Sequence, residues 1–108
     1  MSVRFDKPWL DKTEALKRLK GQMGVYQLGD AAGQVLYMSY AGGQSLQGLK
    51  GEVTSALAAH PKATCVRYEV TTAYMTRFRE AMMAHIATHG TAVPTDKTLT
   101  LGRLSPAG

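Results

Sequence analysis

The reading turns on Gly24-Val25-Tyr26-Gln27-Leu28-Gly29-Asp30-Ala31-Ala32-Gly33-Gln34-Val35-Leu36-Tyr37-Met38-Ser39-Tyr40-Ala41. Met23 to Leu28, with Val25 and Tyr26, has the composition of a strand. Gly29 to Gly33 carries turn chemistry, since Asp30 and Gly33 are both favoured in tight turns. Gln34 to Tyr40 then reads as a second strand. A four-residue loop, Asp30 to Gly33, sets Tyr26 opposite Tyr37. In that register Leu28 faces Val35 on the same side, and Val25 and Met38 share the other face.

On the N-terminal side, Asp11 with Glu14 three positions later forms a capping-box signal. Leu16 and Leu19 mark the apolar side of a short helix that Gly21 ends. Phe5 and Trp9 precede it and are expected to cover an edge of the core. On the C-terminal side, Ala41-Gly42-Gly43 breaks the chain. Ser45 to Ala59 follows as a helix, with Leu46, Leu49, Val53 and Leu57 at helical spacing. Gly48 and Gly51 weaken it by about 1 kcal/mol each relative to alanine. His60-Pro61 stops it. Thr64 to Val70 is a third strand. Thr71 and Thr72 offer caps for a long helix to His89, closed by Gly90. Its apolar side carries Tyr74, Phe78, Ala81, Met82 and His85.

The expected fold is therefore α+β: a small, three-stranded, mainly antiparallel sheet flanked by helices. The domain is expected to span 1–93, with 94–108 as a loose C-terminal tail in which Leu99 to Leu104 is a candidate edge strand. The 108 residues fit one domain. Hydrophobic residues at 44% and charged residues at 19% describe a globular chain and not a disordered one. Neither a signal-peptide core nor an apolar run of the roughly 20 residues that a membrane span needs is visible. Cys65 is the sole cysteine, which excludes an internal disulfide and suits a reducing cytoplasm. As a strand residue it behaves as a small hydrophobe. The formal net charge of +5 makes nucleic acid a candidate partner, and it also favours solubility.

The half-motif Gly24-Val25-Tyr26, followed across a hairpin by Tyr37-Met38-Ser39, resembles the GIY-YIG nuclease family. The resemblance covers roughly Gly24 to Gly90 and includes the element order strand, strand, helix, strand, helix. It implies two tyrosines, a helix arginine and a later helix glutamate around a divalent metal and a phosphodiester. A phenol can activate water, arginine stabilises phosphate charge, and a carboxylate holds the metal. Tyr26 and Tyr37 match; Ser39 stands where that motif has glycine. The arginine position, counted without gaps, falls on Gln47. The only cation between Gly42 and Ala59 is Lys50, which lacks the planar fork of arginine. Glu80 is the candidate glutamate and metal ligand, although the flanking pattern of Phe78, Met82 and Met83 centres on Arg79. By helical angle Glu80 points away from the Tyr74-Phe78-Met82 side.

Each candidate also has a structural explanation. Tyr26 and Tyr37 can be a cross-strand aromatic pair. Lys50 and Glu80 can be solvated surface charges. His85 and His89, at i and i+4, have the spacing of a metal pair but no further ligand.

Three functions follow, in this order. The first is a catalytically degenerate GIY-YIG-like domain with a binding role, for which nucleic acid is the candidate ligand. The second is an active nuclease using Tyr26, Tyr37, Lys50 and Glu80 with Mg²⁺ or Mn²⁺ at Glu80. The third is a protein-interaction module without nucleic acid, and it lies close to the first. The oligomeric state is open, and exposed sheet edges permit an edge-paired dimer.

Overall fold

A computed structural model describes residues 7–43 and 45–97. The elements in chain order are β1 (Leu10–Asp11), α1 (Lys12–Arg18), β2 (Gly24–Gly29), β3 (Val35–Ala41), α2 (Gly48–Ala59), β4 (Cys65–Val70) and α3 (Tyr74–His89). The strands form one antiparallel sheet in the order β1-β4-β2-β3. The expected small α+β domain is present, and the two-residue β1 makes a fourth strand beyond the three anticipated. The candidate edge strand Leu99 to Leu104 lies outside the described residues.

Side chains alternate across a strand, so each face of the sheet needs its own cover. Tyr26, Leu28, Ala41 and Val66 line one face and pack with Ala15, Leu19, Leu49, Val53 and Ala56 of the α1–α2 layer. Val25 and Met38 line the other, against Phe78, Ala81 and Met82 of α3. Each large side chain fully buried in this way contributes about 1.5–3 kcal/mol. The segment after α3 adds Val93 to the second cluster.

The helix boundaries follow from local chemistry. Asp11 caps α1 by accepting the Thr13 N–H at 2.9 Å. Glu14 does not complete a capping box; it pairs with Arg18 one turn later at 3.0 Å. The second helix starts three residues later than expected. Gln47 (φ 60°) and Gly48 (φ 56°) are left-handed, and a Cβ on Gly48 would strike the Gly21 backbone. Leu46, counted on the apolar side of that helix, consequently precedes it and is 87% exposed. Gly90 (φ 83°) ends α3 as anticipated.

The β2–β3 register differs from the expectation by two residues. Leu28 pairs with Tyr37 and Tyr26 with Ser39, with an irregularity between Leu28 and Gly29. The turn is tighter than a four-residue loop: the Asp30 N–H donates to the Gln34 carbonyl, which leaves Ala31 to Gly33 between them, and the Asp30 carboxylate accepts from the Ala32 and Gln34 amides. A two-residue shift preserves the face, because the side-chain period is two. Tyr26 and Tyr37 thus still share a face, but as a diagonal pair.

Candidate functional site

Tyr26 and Tyr37 meet on the α2 side of the sheet, with ring centroids 6.2 Å apart and planes at 44°. Tyr37 also stacks on His60, the C-cap of α2, at 4.5 Å. A cavity of about 140 Å³ opens there, lined by the two tyrosines, Glu52, Ser55, His60 and Asp96 among others. Tyr26 is buried, and desolvation together with the neighbouring Tyr37 raises its phenol well above the ordinary range. The Tyr37 phenol is pushed up to about 12, first by burial and then by hydrogen bonding to Asp96. Both phenols are therefore held in their protonated, hydrogen-bond-donating form.

Asp96 comes from the segment after α3, which was expected to be loose tail. Among the described residues that segment is seated. Val93 is 2% exposed, and the Met38 N–H of β3 donates to the Pro94 carbonyl at 3.0 Å. Ser39 Oγ donates to Asp96 Oδ1 at 2.6 Å. Burial raises the Asp96 carboxyl, but hydrogen bonds from Ser39 and Tyr37 and the Lys97 charge outweigh it and hold the carboxyl below its usual range. Lys97 Nζ lies 3.4 Å from Asp96, 3.9 Å from Glu52 and 4.9 Å from the centroid of the Tyr40 ring.

The structure brings Tyr26 and Tyr37 together, but not Lys50 or Glu80 with them. Lys50 is exposed and does not line the tyrosine cavity. Glu52 does; two residues along a helix is a rotation of about 200°, so the positions face opposite ways. Glu80 belongs to α3, which packs on the other face of the sheet. There it accepts from Arg77 Nη1 at 2.7 Å, while Arg77 also forms a two-pronged pair with Glu69 at 3.0 and 3.1 Å. Gln47, at the ungapped arginine position, lines a neighbouring groove with Glu52 and Asp96. The rings of His85 and His89 approach to 4.3 Å, and no cluster of three metal-ligating side chains occurs among the described residues.

The cleft residues that sequence reasoning did not single out as a site are Ser39, Glu52, His60, Asp96 and Lys97. Ser39 carried one signal, the hydroxyl in place of a motif glycine. Glu52 had none, being a polar residue on a helix of mixed character. Asp96 had none either, because its partner lies 57 residues away.

One further basic residue is engaged locally. The Arg67 guanidinium stacks over Trp9 at 4.3 Å and donates to Gln27 at 2.7 Å. On the opposite layer, Lys17, Lys20 and Lys50 are exposed, and the Lys50 N–H donates to the Lys20 carbonyl at 2.9 Å. That bond ties the end of the α1 turn to the start of α2 and sets the two lysines side by side along the backbone.

A family model described as a domain of unknown function, DUF7508, matches residues 1–88, and the chain belongs to that family. The match contains Tyr26, Tyr37, Glu52 and His60 and ends before Asp96. No curated protein matches the chain in sequence.

Proposed function

We propose that this DUF7508 domain is a catalytically degenerate binding domain on a GIY-YIG-like scaffold, and that nucleic acid contacts its α1–α2 side. The observation that carries the reading is a set of exposed lysines without ion pairs among the described residues on the α1–α2 side. On the α3 side, Arg77 is tied to Glu69 and Glu80, and Arg79 is exposed. On the α1–α2 side, Lys17, Lys20 and Lys50 are exposed and have no ion pair among the described residues. A phosphate backbone needs such uncommitted ammonium groups, since releasing its counterions supplies most of the affinity.

The placement of Glu80 argues against the active metal nuclease. Hydrolysis of a phosphodiester needs the tyrosines, a cation and a metal-binding carboxylate around one phosphorus. Here the tyrosines face α2, and Glu80 is committed to Arg77 on the other face. The GIY-YIG likeness is supported by the Gly24-Val25-Tyr26 and Tyr37 positions and by the succession β2, β3, α2, β4, α3.

The test is binding of a labelled 20-mer, single- and double-stranded, across a salt series. Affinity is expected to fall steeply with salt, and Lys20→Glu with Lys50→Glu is expected to lower the logarithmic salt slope by about 2. Absence of salt-dependent binding, or an unchanged slope in the double variant, would overturn the nucleic-acid reading. Mg²⁺- or Mn²⁺-dependent cutting abolished by Tyr26→Phe and by Glu80→Ala would instead restore the nuclease.

A further inference from the structure

β3 is the last strand of the sheet, so one of its edges is not used by β2. The chain returns to that edge after α3. The Met38 N–H donates to the Pro94 carbonyl, Ser39 Oγ donates to Asp96, and Lys97 Nζ lies 4.9 Å from the centre of the Tyr40 ring. As the returning chain advances from 94 to 97, its partners advance from 38 to 40. It therefore runs in the same direction as β3, and that path leads on past Tyr40 toward Ala41 and Gly42.

An open groove of about 540 Å³ lies in that direction. Tyr40, Leu46, Tyr74 and Met75 line it, and so does Lys97. Leu46 is 87% and Met75 57% exposed, so the groove leaves large apolar side chains facing water. Exposed apolar side chains gathered in one groove, and not scattered singly, mark a contact site. The sequence that follows Lys97 is Thr98-Leu99-Thr100-Leu101-Gly102. At extended spacing Leu99 and Leu101 share a side. With an advance of about 3.3 Å per residue, they come within about 7 and 13 Å of Lys97 along the chain. These five residues carry no charge, so entry into the groove strips no ion of its water.

We propose that the groove between Leu46 and the start of α3 is the docking site of the chain's own C-terminal segment, with Leu99 and Leu101 packed on Tyr40, Leu46, Tyr74 and Met75. The docked segment continues the path of 93–97 along the open edge of β3. It shields that edge from pairing with other chains, and it covers the groove that Glu52 and Lys97 share. The exposed lysines of the α1–α2 side take no part, so the proposal is independent of the nucleic-acid reading.

The experiment is a hydrogen peroxide time course on the full chain, with oxidation at Met75 and Met83 read by peptide mass spectrometry. Both belong to α3; Met75 is the more exposed, at 57% against 45%, and of the two it alone lines the groove. Docking reverses the order that exposure sets. Met75 is expected to oxidise more slowly than Met83 in the unaltered chain. Leu99→Ser/Leu101→Ser is expected to accelerate Met75 by about threefold or more and to leave Met83 unchanged. Met75 reacting at least as fast as Met83, or at an unchanged rate in the variant, overturns the proposal. Protection that fades as the unaltered chain is diluted assigns the groove to a segment of a second copy, and overturns it as well. Should circular dichroism show that the variant does not fold, nuclear Overhauser contacts in the unaltered chain decide. Contacts from the Leu101 methyls to the Met75 methyl in dilute sample support the docking, and their absence overturns it.

Discussion

Ser39 on β3 and Asp96 beyond α3 are joined by a 2.6 Å hydrogen bond from hydroxyl to carboxylate. Ser39 is wholly buried, so the bond has no solvent competition at the donor end. Ser39→Ala is expected to cost about 1.5–3 kcal/mol in urea denaturation, the range for a hydrogen bond to a charged group. A change below about 0.3 kcal/mol would show that the bond contributes nothing net.

The same carboxylate makes stability depend on acid. Its folded pKa lies below the ordinary value of 3.8. The contribution is therefore present above the unfolded pKa and is lost as pH falls through the folded one. Thermal melts from about pH 6 down to about pH 2, which crosses the ordinary carboxylate value, are expected to show a fall toward the acid end that Asp96→Asn flattens. Equal slopes in the two proteins would contradict the assignment.

Tyr37 gives the opposite dependence. Its phenol, ordinarily at 10.0, is raised to about 12 in the fold. The unfolded chain ionises first, so stability is intact below the unfolded value and declines as pH rises toward the folded one. Tyr37→Phe is expected to lessen the loss of stability in urea between about pH 9 and pH 11. A steeper alkaline loss in the variant would refute this.

Arg77 is the hub of the α3 side, with two bonds to Glu69 and one to Glu80. Arg77→Ala leaves Glu69 without its partner and is expected to cost about 1–3 kcal/mol. Glu80→Gln removes only the more exposed arm and is expected to cost no more than about 1 kcal/mol. Thermal denaturation of the two variants distinguishes them; a larger effect at Glu80 would reverse the order.

Gly24 begins the motif that suggested the family resemblance, and its own role is steric. A Cβ there would collide with the Glu69 carbonyl of β4 and press on Leu49 of α2. Gly24→Ala is expected to destabilise the domain by about 1–3 kcal/mol or more, as overpacking against backbone does. A variant as stable as the parent by chemical denaturation would show that β2 and β4 can separate without penalty.

Much of the architecture was legible in local patterns. The hairpin, β4, α1 and α3 follow from strand composition, turn chemistry, the Asp11 cap and the glycine that stops α3. The first helix, α1, ends at Arg18 with an extended Leu19 as its C-cap, ahead of the expected Gly21. The start of α2 was not legible, because its apolar spacing includes Leu46. Only the close approach of Gly48 to Gly21 excludes that residue from the helix. The register differs from the sequence expectation by two residues, yet Tyr26 and Tyr37 stay on one face because an even shift cannot move a side chain through the sheet.

The candidate site divides along the same line. Tyr26 and Tyr37 could be paired from sequence alone, since they lie on neighbouring strands across one turn and local periodicity reaches that far. Which charged groups join them is set by the layers. The sheet screens Glu80 from the tyrosines, the turn of α2 presents Glu52 and not Lys50, and the return of the chain after α3 delivers Asp96 and Lys97. Those contacts come from packing between distant segments, and no residue pattern within one element encodes them.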